Sequence, residues 1–258
     1  MGRKKIDRTG EEGYNSFGSK MIISEYRGCM DVDVYFSEYN WTFKHAQYTS
    51  FKNKSIKCLY EPRYFGKGYL GEGKYKMSID GKITDEYNIW YRMIQRCYDP
   101  KFHERESTYK DCIVEDYLLN FQHMGEWIED NYYEVPGEVM CLDKDILYKG
   151  NKIYSRDTCL LVPQRINNLF IKKQTSRGNL PIGVSENKLR NKYMARMKMS
   201  NKPNDYISLG AYDTPVEAFI VYKRYKEEYI KQVADEYKQY IPKKIYDAMY
   251  KYEIEITD

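Results

Sequence analysis

The chain has 258 residues, of which 42% are apolar and 31% charged, and its formal net charge is +4. This length suits one large domain or two to three small modules, and the apolar share is sufficient for buried cores. The sequence has no uncharged apolar run of about eighteen residues, so a membrane span is not expected, and its charged beginning does not resemble a secretory signal.

The six cysteines are spread along the chain without a Cys-x-x-Cys pair. A zinc ribbon normally needs such pairs to direct two thiolates at one ion. The pattern therefore predicts reduced thiols in a cytoplasmic protein.

The first seventy residues predict a small β module. Apolar and polar residues alternate over 19–26, 31–39 and 41–51, and Gly and Asn turns separate these runs. Four glycines then fall within residues 66–73, which is typical of a linker or of a loop that another segment approaches closely. A phosphate-binding loop is the alternative, but the GK[ST] sequence that would complete it is missing.

Two amphipathic helices are predicted at 85–99, where Pro100 ends the first, and at 114–133. Their apolar faces are formed by Ile89, Trp90, Met93, Ile94 and Cys97, and by Tyr117, Leu118, Phe121, Met124 and Trp127. We interpret both faces as core packing. His103, in the loop between the helices, and His123, on the second helix, are interpreted as structural or solvated.

A strand at 138–146, a loop, a strand at 157–162 and a helix that Pro163 begins are predicted next. Cleavage of a phosphodiester needs a base that activates water and a metal held by oxygen or nitrogen ligands on a rigid frame. A ββα hairpin can supply such a frame, because an acid at the end of its first strand faces an amide in its helix.

Residues 141–170 resemble the HNH endonuclease motif, especially its phage homing-type versions. That family has Asp-His at the first strand, Gly-Asn in the loop, Asn before the second strand and Ile-Asn in the helix. The corresponding residues here are Asp143-Lys144, Gly150-Asn151, Thr158 and Ile166-Asn167. The resemblance implies that Asp143 and Asn167 bind a metal, with Mg²⁺ or Mn²⁺ as the cofactor, and that Lys144 stands where the family has its catalytic histidine.

Lys144 is the departure from that family. A lysine with an ordinary pKa of about 10.4 is protonated and cannot take a proton from water. Its neighbours Asp143 and Asp145 favour the charged form, whereas a nearby metal ion would oppose it. Lys144 therefore suits a phosphate contact better than a base, and His123, or Asp145 through water, are the alternative bases.

Positive charge is concentrated at 172–205, where nine Lys and Arg stand against two acids, giving this segment +7 and the remainder −3. A local excess of this kind is typical of phosphate contact. Residues 181–214 predict three short strands with basic turns. Thr214 and Glu217 form a capping box at the start of a long amphipathic helix, and residues 241–258 predict one more helix, with a strand in the same segment as an open alternative.

Residues 183–227 are similar to the APETALA/ethylene-response-factor DNA-binding domain, of which related copies follow HNH motifs in phage and mobile-element nucleases. The matching residues are Gly183-Val184, Tyr193, Ala195-Arg196-Met197, Leu209-Gly210, Tyr212-Asp213-Thr214 and Glu217-Ala218. The resemblance implies a three-stranded sheet in the major groove with a helix packed behind it. It implies DNA contacts at Arg190, Arg196 and Lys198, with Lys188 and Lys192 on phosphates, although the turn at 185–192 departs from the family.

We therefore predict an α+β chain of four segments. These are a β-rich module (1–70), helices with an HNH-like ββα core (71–172), a basic three-stranded sheet with its helix (173–235) and a C-terminal helix or tail (236–258). The predicted function is binding of duplex DNA by a phage-type protein related to HNH homing-type endonucleases, in the cytoplasm of a bacterial host. Three alternatives stay open: metal-dependent DNA cleavage, inactive regulation of DNA, and binding of a host protein through the N-terminal surface.

Overall fold

The computed structural model of the protein describes residues 6–172, 178–199 and 205–258. Helices alternate with several small antiparallel sheets, which confirms the predicted α+β class. The chain forms two compact units, Met1–Glu129 and Asp130–Asp258. The predicted contributions of Lys173, Arg177 and Lys202 to the basic segment lie outside the described residues.

The first unit carries most of the short elements. Its strands are β1 (Glu12–Tyr14), β2 (Lys20–Gly28), β3 (Asp31–Phe36), β4 (Trp41–Ala46), β5 (Ser78–Ile79), β6 (Lys82–Ile83) and β7 (Ile113–Val114). The helices that begin in it are α1 (Tyr48–Lys52), α2 (Asp85–Tyr98), α3 (Pro100–Arg105), α4 (Asp116–Leu119) and α5 (Phe121–Asn131).

Strands β1 to β4 form an antiparallel sheet in chain order, as the alternating pattern predicts. Met21 and Ile23 on β2 and Val34 on β3 are fully buried, because side chains at every second position share one face. The prediction of a strand through residue 51 is wrong beyond Ala46. There the chain turns into α1, and the buried ring of Phe51 joins the core of this sheet. Packing of that ring overrides the local strand pattern.

The second predicted helix is divided at Asn120, which has an extended backbone. The Asn120 side chain accepts a hydrogen bond from the Gln122 backbone N–H (2.9 Å), so the new helix α5 starts with its own cap. The glycine-rich loop lies against this break, because a Cβ at Gly71 would come within 2.2 Å of the Asn120 side chain. Close approach is thus the reason for Gly71 and also for Gly68 and Gly73, whereas Gly66 has no atom near its Cβ position. His103 lies in α3, and its predicted loop position is wrong.

The second unit contains the predicted hairpin and basic sheet. Its strands are β8 (Met140–Asp143), β9 (Ile153–Tyr154), β10 (Leu160–Pro163), β11 (Val184–Asn187), β12 (Lys192–Lys198) and β13 (Tyr206–Tyr212). Its helices are α6 (Gln164–Leu169), α7 (Pro215–Tyr237) and α8 (Lys243–Tyr250). Strands β8 and β10 are antiparallel and α6 follows at once, as predicted, although Pro163 ends the strand and caps the helix instead of being its first residue.

Strands β11, β12 and β13 form an antiparallel sheet, and α7 packs on it. Ala195 and Met197 of β12 are buried in the same core as Ala218 of α7. The capping box is confirmed: Thr214 accepts from the Glu217 backbone N–H (3.2 Å), and the Glu217 carboxylate accepts from the backbone N–H of Thr214 (3.1 Å).

One hydrophobic core runs through the second unit. It joins Val162 and Ile166 of the hairpin to Val184 of the sheet, Ile230 of α7 and Ile245 of α8. The predicted segment boundaries at 172 and 235 therefore lie within a stretch of chain that shares one core. Helices α2 to α4 belong to the same unit as the N-terminal sheet. Within the described ranges, none of the helices has the length and hydropathy needed to cross a membrane.

Candidate functional site

Asp143 ends β8, opposite Leu160 of β10, where the hairpin loop begins. Its Oδ1 atom accepts hydrogen bonds from the backbone N–H groups of Asp145 and Ile146, both at 2.7 Å. Burial raises the pKa of Asp143 above its ordinary value, although these two bonds and the Lys144 charge act in the opposite direction. One carboxylate oxygen thus shapes the loop, and no hydrogen bond to Oδ2 is found within the described residues.

Lys144 is buried in the loop, with 6% of its surface exposed. Its ammonium donates to the Asp145 carboxylate (2.7 Å) and to the Asn151 carbonyl, and it lies 5.8 Å from the centre of the Tyr154 ring. The Asn151 side chain in turn donates to the Lys144 carbonyl (2.9 Å), so the two residues join both ends of the loop. In this geometry the ammonium holds the loop together, and a phosphate would have to compete with partners inside the protein.

Asn167 lies half-buried on α6, and its side chain has no hydrogen bond to any described residue. The hairpin thus places β8 and α6, which carry the two predicted metal ligands, around the same strand β10. Of the two alternative bases, Asp145 accepts a hydrogen bond from the Lys144 ammonium. His123 lies in the first unit, where its ring stacks on Tyr117 with 4.2 Å between centroids.

The basic sheet presents cations on one face. Arg196 and Lys198 are exposed at alternate positions of β12, whereas Ala195 and Met197 between them are buried towards α7. A β-bulge between Ala195 and Arg196 changes the register with β13 at this point. Neither Arg196 nor Lys198 has an ion pair in the described ranges.

The other three predicted DNA contacts differ from one another. Lys188 and Arg190 are exposed in the turn between β11 and β12. Lys192 forms an ion pair with Asp213, so its charge is already neutralised in the free protein. Four of the five predicted cations are therefore available on the surface of the sheet and its turn.

A cavity of about 800 Å³ lies in the second unit, between α6, α7 and β12. Arg196 and Lys198 reach it from the sheet, Arg165 from α6 and Lys226 from α7. Burial lowers the pKa of Lys226 to about 8. Arg165 and Lys226 are not among the site residues that the sequence predicts. The available signal was Lys226 itself, a lysine four residues after Tyr222 within the apolar stripe of a helix.

Asp31, Asp33 and His45 form a cluster of metal-ligand type in the first unit, with ligand atoms within 4.8 Å of one another. The Arg27 guanidinium donates to Asp31 (2.7 and 2.8 Å) and also to Asp33. This hydrogen-bonded charge lowers the pKa of Asp31 to about 2. Because Arg27 already serves as the cation of the cluster, we do not assign a metal to it.

The comparisons with known proteins add no relative. No family model matches the chain, and searches of curated proteins and of solved structures found no match. The resemblances to HNH nucleases and to the APETALA-type domain therefore stay predictions.

Proposed function

We propose that the protein binds duplex DNA through the face of the β11–β13 sheet that α7 leaves open. The observation that carries this proposal is the placement of Arg196 and Lys198, which stand exposed on this face without an ion pair among the described residues. Cations free of protein partners can exchange water and counterions for phosphate oxygens, which is the main source of affinity for DNA.

The shape of the sheet is compatible with this role. A major groove about 12 Å wide admits a narrow β-sheet, and side chains at alternate positions of one strand point to the same side. Lys188 and Arg190 extend the positive surface to the β11–β12 turn. Lys192 contributes less, because a phosphate would first have to displace Asp213.

Metal-dependent cleavage is less well supported by the hairpin. Mg²⁺ and Mn²⁺ prefer oxygen ligands, and Asp143 and Asn167 offer a carboxylate and an amide of this type. Within the described residues, however, Asp143 belongs to no group of three His, Cys, Asp or Glu side chains whose ligand atoms lie within 4.8 Å of one another. Lys144, at the position of the family's base, is held by Asp145 and Asn151. We therefore derive no cleavage step and propose that the hairpin supports the DNA-binding unit.

The test is a titration of labelled duplex with the full chain, repeated over a series of salt concentrations. Each phosphate contact contributes about 0.9 to the slope of log K against log salt. We expect the double variant Arg196→Ala/Lys198→Ala to bind more weakly and to lower this slope by between one and two. The matched control is Lys231→Ala/Lys251→Ala, which removes the same charge from exposed positions outside the sheet of the same unit.

Two results would count against the proposal. Equal losses in the double variant and its control would show that net charge, not this face, determines the affinity. Weak association of the parent that does not change with salt would remove the phosphate contacts altogether. Samples with manganese also test the alternative function: cleavage that Asp143→Ala abolishes would establish an active hairpin site.

A further inference from the structure

The cavity of the second unit lies beside the end of β12, beyond the point where β11 stops pairing with it. β11 pairs with β12 only as far as Ala195, and the last bond on that side runs from the Arg196 backbone N–H to the Gly183 carbonyl (2.8 Å). The edge of β12 beyond this point has no strand beside it within the described residues. α6 lies across the opening, so the cavity is bounded by the strand edge, α6 and α7.

Lys226 is the unusual residue of this cavity. It is 93% buried and has no hydrogen bond or ion pair to any residue that the structure describes. The centre of the Tyr229 ring lies 5.9 Å from Nζ, at the outer limit of a cation–π interaction. An ammonium at the wall of a cavity, without an acidic partner among the described residues, is able to bind an anion that enters the cavity from solution.

The other charges that face the cavity have the same sign. Arg165, Arg196 and Lys198 line it, and Glu138 is the one acid among its described lining residues. The Glu138 carboxylate accepts a hydrogen bond from the Tyr237 hydroxyl, and Arg165 forms an ion pair with Glu236 (2.7 Å). Arg196, Lys198 and Lys226 thus remain without an acidic partner among the described residues, which gives the cavity a positive potential.

The rest of the lining suits a planar ring. Tyr206 stands opposite Lys198 on β13, so both side chains lie on the same face of the sheet at the mouth of the cavity. The Tyr222 ring packs directly on Gly183, where a Cβ would come within 2.1 Å of it. Gln164 of α6 donates a hydrogen bond to the Asn168 side-chain carbonyl oxygen (3.2 Å), and the other amide atoms of these two residues can bond to the edge of a base.

We propose that this cavity binds a nucleoside phosphate, with its phosphate at Lys226 and its base among the tyrosine and amide side chains. The volume of about 800 Å³ is within the range of small-molecule sites. The ligand is either a free mononucleotide or an unpaired nucleotide at the end of a DNA strand, and both offer the same phosphate and base. The site shares Arg196 and Lys198 with the duplex-binding face and goes beyond that face through Lys226 and the ring and amide side chains.

Calorimetric titration of the full chain tests the free ligand, with thymidine 5′-monophosphate, thymidine and inorganic phosphate as probes. We expect the nucleotide to bind best. Lys226→Met should weaken it by at least about tenfold, because a charge-assisted hydrogen bond is lost. Lys226→Arg should retain binding, and Lys231→Met, at an exposed position of the same helix, is the matched control.

A second titration tests the strand as the source. It compares a blunt duplex with the same duplex carrying one unpaired phosphorylated nucleotide. A preference of the parent for the unpaired end that Lys226→Met removes would support the site even if the free nucleotide binds weakly.

The site is overturned if neither probe binds in a manner that depends on Lys226. Equal affinity for inorganic phosphate and for the nucleotide would overturn the assignment of a nucleoside. Failure of this site and failure of the proposed function are separable, because the salt-dependent binding of the blunt duplex is measured in the same series and involves the exposed sheet face.

Discussion

Replacement of Lys226 by methionine should stabilise the second unit in the absence of ligand. Methionine keeps an unbranched apolar stem in the same space and removes the buried charge. Burial lowers the pKa of Lys226 from 10.5 to about 8. At 1.36 kcal/mol for each unit of pKa, the charge costs about 3 kcal/mol of unfolding free energy at pH 7, and this is the expected gain in Lys226→Met.

The gain should depend on pH in a defined direction. A lysine with a lowered folded-state pKa binds fewer protons in the folded than in the unfolded chain between about pH 8 and 10.5, so stability rises with pH in that window. The penalty is therefore full below pH 8 and decreases above it. We expect the advantage of Lys226→Met to fall from about 3 kcal/mol at pH 7 to about 2 kcal/mol at pH 9.

The assay must resolve the two units. All three tryptophans, Trp41, Trp90 and Trp127, lie in the first unit, so tryptophan fluorescence does not report directly on the second unit and another probe is needed. Native-state hydrogen exchange of the α7 amides, corrected for the intrinsic effect of pH, reports on the second unit. A variant less stable than the parent at pH 7, or an advantage that is the same at both pH values, would refute the reasoning.

Three further substitutions test the hairpin and the helix start. Lys144→Met should destabilise the second unit by about 1 to 3 kcal/mol, because the Asn151 carbonyl and Asp145 lose their partner; faster amide exchange in the loop would show this, and unchanged exchange would contradict it. Asp143→Asn keeps the Oδ1 acceptor. Since burial raises the pKa of Asp143, the parent loses stability as pH rises above 3.8, so the variant should melt at or above the parent temperature at pH 7 and show no advantage below pH 3.8. Thr214→Ala should cost about 1 kcal/mol in urea unfolding through loss of the capping box, with Thr214→Ser as the control that retains it.

Local patterns predict the elements of this chain where burial follows one period. The alternation in β2 and β3, the strand–loop–strand–helix order of the hairpin and the cap of α7 at Thr214 are all visible in the sequence. The errors occur where a distant segment decides the local structure. Asn120 ends α4 because the glycine-rich loop packs against it, and the Phe121 backbone N–H donates to the Tyr69 carbonyl (2.9 Å). Neither the glycine-rich loop nor Tyr69 is close to Asn120 in the sequence, so a local pattern cannot predict this break between the helices.

The candidate site shows the same limit. Arg196 and Lys198 could be placed on one face of the sheet from their alternation alone. The engagement of Lys192 with Asp213 and of Lys144 with Asn151 could not, because each depends on which residues a turn or loop brings together. In the sequence, Lys226 is one residue of the apolar stripe of a helix. Its position at the wall of a cavity, without an acidic partner among the described residues, becomes visible only in the arrangement of α6, α7 and the edge of β12.

The hairpin and the basic sheet are parts of one structure, and this affects how the unit can work. Val162 and Ile166 of the hairpin pack in the same core as Val184 of the sheet, and Arg165 of α6 lines the cavity with Lys198 of β12. A change in the hairpin can therefore reach the proposed DNA-binding face through packing, without any cleavage chemistry. The Lys144 ammonium is bound within its own loop, but the hairpin still has a structural role. Its buried residues complete the core that holds β12 in place.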